Sequence, residues 1–315
     1  MGVTITACEK KNRVGVIGVG PSVVGLVAMV CAASSPAQSS FSEWTNTAPV
    51  VGVGGGCPIE SRNGLDLYVA AGFNGSLDIW VYERKGRDQP FGAPILAGPP
   101  VSLPAGPDGD VRDFCPTPLP GYELMFVSNR EGSCGDTSFG NSDIYIAKYR
   151  PSPAQALGEA RHLGCAPDGP NTPGTEFSPS LITTSEGVFL YYSTNGPGGD
   201  QDIYRSRMSL DGSFGPGEPV TALNTEYDDQ QPNVGRNGLE IVFSSNRDGD
   251  GIQDVYSATR SSVSEDWSSP RNLTSERGFP PENASQTRAS LSWDLKRLYY
   301  GSGGVIYVSE RVPMD

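Results

Sequence analysis

Histidine is nearly missing from this sequence: the 315 residues hold one, His162, in the stretch EARHLG. Zinc sites built from several histidines are thereby excluded. A Ser-His-Asp triad would hang on one residue inside an ordinary strand pattern, so His162 reads as structural. Basic charge is short as well, with 23 Lys and Arg against 36 Asp and Glu and a formal net charge of −13. Such a surface repels nucleic acid and anionic membranes, and neither is an expected partner. Nucleophile motifs and cofactor signatures are also lacking.

Long hydrophobic runs are confined to residues 14–33. That run follows the charged stretch EKKNR and precedes SSPAQS, whose Ser35 and Ala37 suit a signal peptidase. Residues 1–37 are therefore expected to be a signal peptide, and residues 38–315 an exported domain, periplasmic or extracellular, with no membrane span after cleavage. The competing reading is an uncleaved anchor, which Pro21 and several glycines weaken. Four cysteines follow the leader, Cys57, Cys115, Cys134 and Cys165, and an even number in an exported chain reads as two disulfides.

What the chain has in quantity is turn chemistry, 40 Gly and 27 Pro, which fits many short strands better than long helices. One hairpin phrase recurs five times. Its first strand carries an aromatic at Tyr68, Phe126, Tyr191, Phe243 and Tyr299; a Gly/Asn-rich turn follows, then Asp78, Asp143, Asp202 or Asp254 ahead of an Ile/Val-aromatic pair, with Gly304 in the fifth copy. The spacings leave room for about four strands per unit, the content of a propeller blade. Upstream segments that mostly carry Pro near their start (CPIESRNG, CPTPLPGY, SPSLITTSEG, QPNVGRNG, ASLSWDLK) supply inner strands, and downstream ones (FGAPIL, LGEARHL, FGPGEPV, WSSPRNL) outer strands. The fifth unit lacks an outer strand, while SEWTNTAPVV near the N-terminus resembles SEDWSSPRNL. The expected fold is all-β, a five-bladed β-propeller closed by the N-terminal strand, which leaves no open sheet edge.

The phrase SSNRDGDGIQDVY, with its W/F-G/S-x-P follower, resembles the TolB-type, WD-like β-propeller repeat of exported bacterial proteins, over nearly all of residues 42–311. The resemblance implies fold more than function, since such propellers serve as binding platforms and as accessory domains. In a propeller the inner strands begin at one mouth of the channel. Three positions before the inner-strand Pro stand Asp113, Glu176 and Asp229, with Asp228 beside the last, which nominates these four as ligand-binding residues for a cation, an amine or a sugar; the plain alternative is that they cap nearby backbone N–H groups.

The turn at residues 246–254 places Asn246, Asp248, Asp250 and Asp254 at alternating positions. It resembles the calcium hairpins of integrin α chains, and calcium is the one cofactor the sequence raises; a tight turn uses the same residues. Cys134 sits in an enlarged hairpin turn and Cys165 in the connection leaving the same blade, so Cys134–Cys165 is the expected bond and Cys57–Cys115 the remainder.

The leading functional expectation is a non-enzymatic platform binding a protein, peptide or glycan over its channel face. The alternative is a five-bladed glycosidase-like enzyme with Glu176 as acid and Asp113 or Asp229 as base. Five-bladed glycosidases usually place the base in the first blade, where this chain has Gly55. Phe114, Phe177 and Tyr227 are candidate sugar platforms.

Overall fold

The computed structural model describes residues 40–314, apart from 74, 105–110, 136–140, 151–154, 157, 197–198 and 282–283. The leader read over residues 1–37 lies outside the described residues. Among the described residues, no helix is long and apolar enough to cross a membrane.

Five antiparallel sheets follow one another along the chain. The first holds Gly56–Glu60, Asp66–Ala71, Asp78–Glu83 and Pro94–Leu96. The second holds Asp113–Leu119, Glu123–Ser128 and Asp143–Arg150, with Gln155–Ala156 and Arg161–His162 both on its outer edge. The third runs Glu176–Thr184, Gly187–Thr194, Asp202–Arg207 and Glu218–Pro219. The fourth runs Asp229–Val234, Glu240–Ser245, Asp254–Thr259 and Arg271–Asn272. The fifth takes Thr287–Leu291, Arg297–Ser302 and Val305–Glu310 from the end of the chain, and its outer strand, Thr45–Gly54, from the beginning. This is the five-bladed propeller closed by its N-terminal strand that the repeats imply. One element was not foreseen: the short helix Leu273–Arg277, capped by Asn272 and ended by Gly278 in the left-handed conformation.

Packing follows from the repeat. The five hairpin aromatics are buried, each in a cluster shared by its own sheet and a neighbour. Five backbone hydrogen bonds then latch the ring. The start of each inner strand donates to the residue just before the third strand of the preceding blade: Asp113 N to Leu77 O, Glu176 N to Ser142 O, Asp229 N to Gln201 O, Gln286 N to Gln253 O, and Gly55 N to Gly304 O, at 2.6–2.9 Å. The last of these closes the circle between the fifth and first blades. Arg311 secures the closure further, stacking on Trp44 at 4.1 Å and Phe41 at 4.2 Å.

Every inner strand bulges at one repeat position. Cys57, Cys115, Ser178, Gln231 and Arg288 all have positive φ, between 48° and 58°, and the register slips beside each. Cys57 and Cys115, at this position in adjacent blades, are disulfide-bonded to each other, and Cys134 is bonded to Cys165.

Candidate functional site

At the mouth where the inner strands begin, two blades carry the same construction. Asp113 is fully buried; its Oδ2 accepts from Leu103 N at 2.9 Å and its Oδ1 from Arg130 Nη2 at 2.7 Å. Arg130 also donates to Ser128 Oγ, Pro100 O and Val101 O, and lies over Phe126 and Tyr145. Asp229 repeats this. Its Oδ2 accepts from Thr225 N and Oγ1, and its Oδ1 pairs with Arg247, which donates to Ser245 Oγ and Leu223 O and lies over Phe243 and Tyr256. Each arginine is the third residue of an S-N-R that ends the second strand, Ser128-Asn129-Arg130 and Ser245-Asn246-Arg247. Burial pushes the Asp113 carboxyl above its usual range, with Arg130 pulling against it.

The third blade breaks the pattern. Thr194, Asn195 and Gly196 stand where the S-N-R would be, so Glu176 has no arginine. Its Oε1 accepts from Thr172 N at 3.1 Å, Thr172 Oγ1 at 2.6 Å and Thr194 Oγ1 at 2.7 Å. Its Oε2 is buried and, among the described residues, has no hydrogen-bond partner. Burial pushes this carboxyl up to about 8; the threonine bonds oppose the shift and the charge of Asp143 adds to it. Glu176 is therefore mainly protonated at neutral pH, a carboxylic acid able to donate.

The first blade holds no carboxylate at this position for a steric reason. Gly55 has φ +122°, and a Cβ there would lie 2.8 Å from Ala70 O. Asp228 is half-buried, accepting from Gln201 N at 2.9 Å. Two neighbouring acids escaped sequence reasoning, which took them only as parts of the repeat: Asp143, whose charge acts on Glu176, and Asp202, pushed up to about 6 by burial and by the charges of Asp200 and Asp229. Among the candidate platforms, Phe114 packs against Phe177 in the core, 5.7 Å between centroids, while Tyr227 is exposed.

In the 246–254 turn the four side chains do not face one point. Asp248 and Asp254 both accept from Asn272 Nδ2, at 2.8 and 2.7 Å. Asp250 accepts from Ile252 N, and Asn246 is turned to the backbone N–H of Asp228. A tighter group of ligand atoms lies elsewhere: Cys134, Asp143, His162 and Cys165, within 4.8 Å of one another. Its sulfurs are bonded together, which leaves two donor groups, fewer than a zinc site uses. His162 Nε2 instead meets Asp143 Oδ2 at 2.6 Å and Asn171 Nδ2 at 3.0 Å, fastening the outer edge of the second blade.

No protein-family model matches the chain, and no curated protein does. Among solved structures it resembles the α-L-arabinofuranosidase of Lactobacillus brevis, with a TM-score of 0.54 at 14% identity, over 84% of this chain and 92% of that one. It likewise resembles the catalytic domain of a GH62 α-L-arabinofuranosidase from Coprinopsis cinerea, with a TM-score of 0.53 at 16% identity, over 87% and 98%. An endo-arabinase from Bacteroides thetaiotaomicron gives 0.51 at 13%, over 88% and 98%. At such identities the likeness establishes the five-bladed fold alone, and it does not extend to the finer resemblance to TolB-type repeats.

These matches overturn the expectation of a non-enzymatic platform. That expectation leaned on the lack of a nucleophile or cofactor motif. Glycosidic bonds, however, are cleaved by pairs of carboxyl groups, which need no such motif. The glycosidase alternative is the better supported of the two.

Proposed function

We propose that the chain is an exported glycoside hydrolase whose chemistry is placed at the mouth where the inner strands begin. Glu176 is the general acid, and Asp229 or Asp113, each ion-paired to an arginine, is the carboxylate that activates water or stabilises the sugar cation. One observation carries this reading: of three equivalent carboxyl groups, Glu176 alone lacks an arginine, and burial pushes it up to about 8, the raised pKa that a general acid near neutral pH requires. Glu176 is closed off from solvent. Reaching it requires the lead-in at residues 172–175, which is bonded to Glu176 and Asn195, to lift as substrate enters.

The neighbours' names make arabinose-containing glycans the first substrates to test. Export agrees with the leader at residues 1–37 and with two disulfides. The assay is release of reducing sugar from arabinan and arabinoxylan oligosaccharides by the mature chain. Turnover is expected, declining as pH rises through about 8, where Glu176 loses its proton. Glu176→Gln is expected to lower it by about 10²–10⁴-fold. No turnover by the parent chain, or equal turnover by Glu176→Gln, would reject the proposal.

A further inference from the structure

Arg288 is the largest fully buried side chain of the described residues, at 0% exposure, and it occupies the bulge position of the fifth inner strand. Its Nη2 reaches Pro116 O at 3.3 Å and Thr117 Oγ1 at 3.1 Å. Those atoms belong to the second blade, which is not a ring neighbour of the fifth, so the side chain crosses the propeller axis. Its Nε and Nη1 are buried without a hydrogen-bond partner, and so is Ser178 Oγ, at the same bulge position of the third blade. No carboxylate pairs with this guanidinium among the described ion pairs. Burial alone perturbs it, pushing its pKa down to about 9.

A buried cation without a counter-charge is costly. The surroundings offer a remedy. Thr117 also lines an axial cavity of about 50 Å³, whose wall includes Ile59, Ser180, Asn233 and Leu291 from the other four blades. Arg62 and Arg236 also line it, Arg62 lying over the Trp293 ring at 3.9 Å. The one acid on the wall, Glu60, is already bound by Arg84 and Arg297. In a protein of net charge −13, Arg62 and Arg236 at this cavity and Arg288, which reaches it through Thr117, make a locally basic group.

We propose that the propeller axis binds one small inorganic anion of chloride size, held by Arg288 Nε and Nη1 with Ser178 Oγ as a further donor. The site is independent of the proposed hydrolysis. It acts as a counter-ion that fastens the five inner strands around a common centre, and a linked prediction follows, because an anion that binds only the folded ring raises its stability.

The test holds ionic strength constant with sodium gluconate, whose anion is too large for the cavity, and exchanges it for sodium chloride from 1 to 300 mM. The parent chain is expected to gain about 2–4 °C in melting temperature, saturating with chloride. Ser178→Ala should fold and need about tenfold more chloride for the same gain; Arg288→Met should lose the response. Crystals grown in sodium bromide should show one anomalous peak on the axis within hydrogen-bond distance of Arg288. A melting temperature that ignores chloride together with an axis free of anomalous signal would overturn the proposal in favour of water as the only occupant, as would a chloride response that Arg288→Met retains.

Discussion

The second and fourth blades set against the third show one repeat position put to two uses. In the former, an aspartate at the head of the inner strand is closed by the S-N-R arginine, and the pair rivets the mouth of the blade. In the third, the arginine is gone, the carboxyl is longer by one methylene, and two threonine hydroxyls take up one oxygen while the other stays unpartnered. Backbone placement is the same in all three, since each inner strand is latched to the preceding blade in the same way. The fold supplies position; the loss of one cation changes the chemistry. A buried carboxyl with a guanidinium beside it is ion-paired, and without one burial favours its protonated form.

The largest expected effect comes from breaking the riveted blades. Arg247→Met leaves Asp229 buried without its counter-charge and should cost about 3–5 kcal/mol of stability, measured by denaturant unfolding. Glu176→Gln should behave in the opposite way. At pH 6 and below it should cost less than about 1 kcal/mol, because a neutral amide replaces a neutral acid. Glu176 carries a folded pKa of about 8 against an ordinary 4.5, so the native state binds the extra proton between those values. Stability of the parent chain should accordingly fall as pH rises from about 4.5 to 8, by on the order of 5 kcal/mol for this group, and Glu176→Gln should lack that loss.

A smaller and more pointed effect is expected from giving the third blade what its neighbours have. Gly196 aligns with Arg130 and Arg247, and a Cβ there would meet nothing within 4 Å, although φ is +49°. Gly196→Arg should cost about 1–2 kcal/mol in backbone strain. It should also bring Glu176 back toward the usual carboxylate range, lowering any hydrolysis at pH 7 by roughly tenfold or more. The smallest effect is expected at residues 246–254. Their side chains are already committed to Asn272 and to backbone N–H groups, so a chelator should move the melting temperature by less than about 1 °C. A larger drop, lost in Asp248→Ala with Asp250→Ala, would support a calcium site there.

The ring itself was legible because a hairpin repeated five times announces both its strands and its count, and SEWTNTAPVV could be matched to an outer strand by comparison with SEDWSSPRNL. The contrast between blades was legible as well, though it passed unread: S-N-R at residues 128–130 and 245–247 against T-N-G at 194–196 needs only alignment of the repeats. Other features leave weaker traces. The residue before a proline is biased toward extended conformations, so nothing in Cys57, Cys115, Ser178 and Gln231, each followed by Pro, predicts a left-handed bulge. The role of Arg288 depends on a contact across the axis to residues more than 170 positions away in sequence, which no local pattern encodes. The glycosidase reading was outweighed because the sequence lacks nucleophile and cofactor motifs and has Gly55 where a first-blade base is expected, while the missing arginine beside Glu176 shows only when the repeats are aligned.

The central claim is that Glu176 is a neutral acid at physiological pH, and its own titration tests that most directly. Difference infrared spectroscopy between the parent chain and Glu176→Gln isolates the carboxyl C=O stretch of this one residue. A protonated-carboxyl band that persists at pH 7 and disappears with a midpoint near 8 is the predicted result. A band already lost by pH about 5 would place Glu176 among ordinary carboxylates and contradict the account.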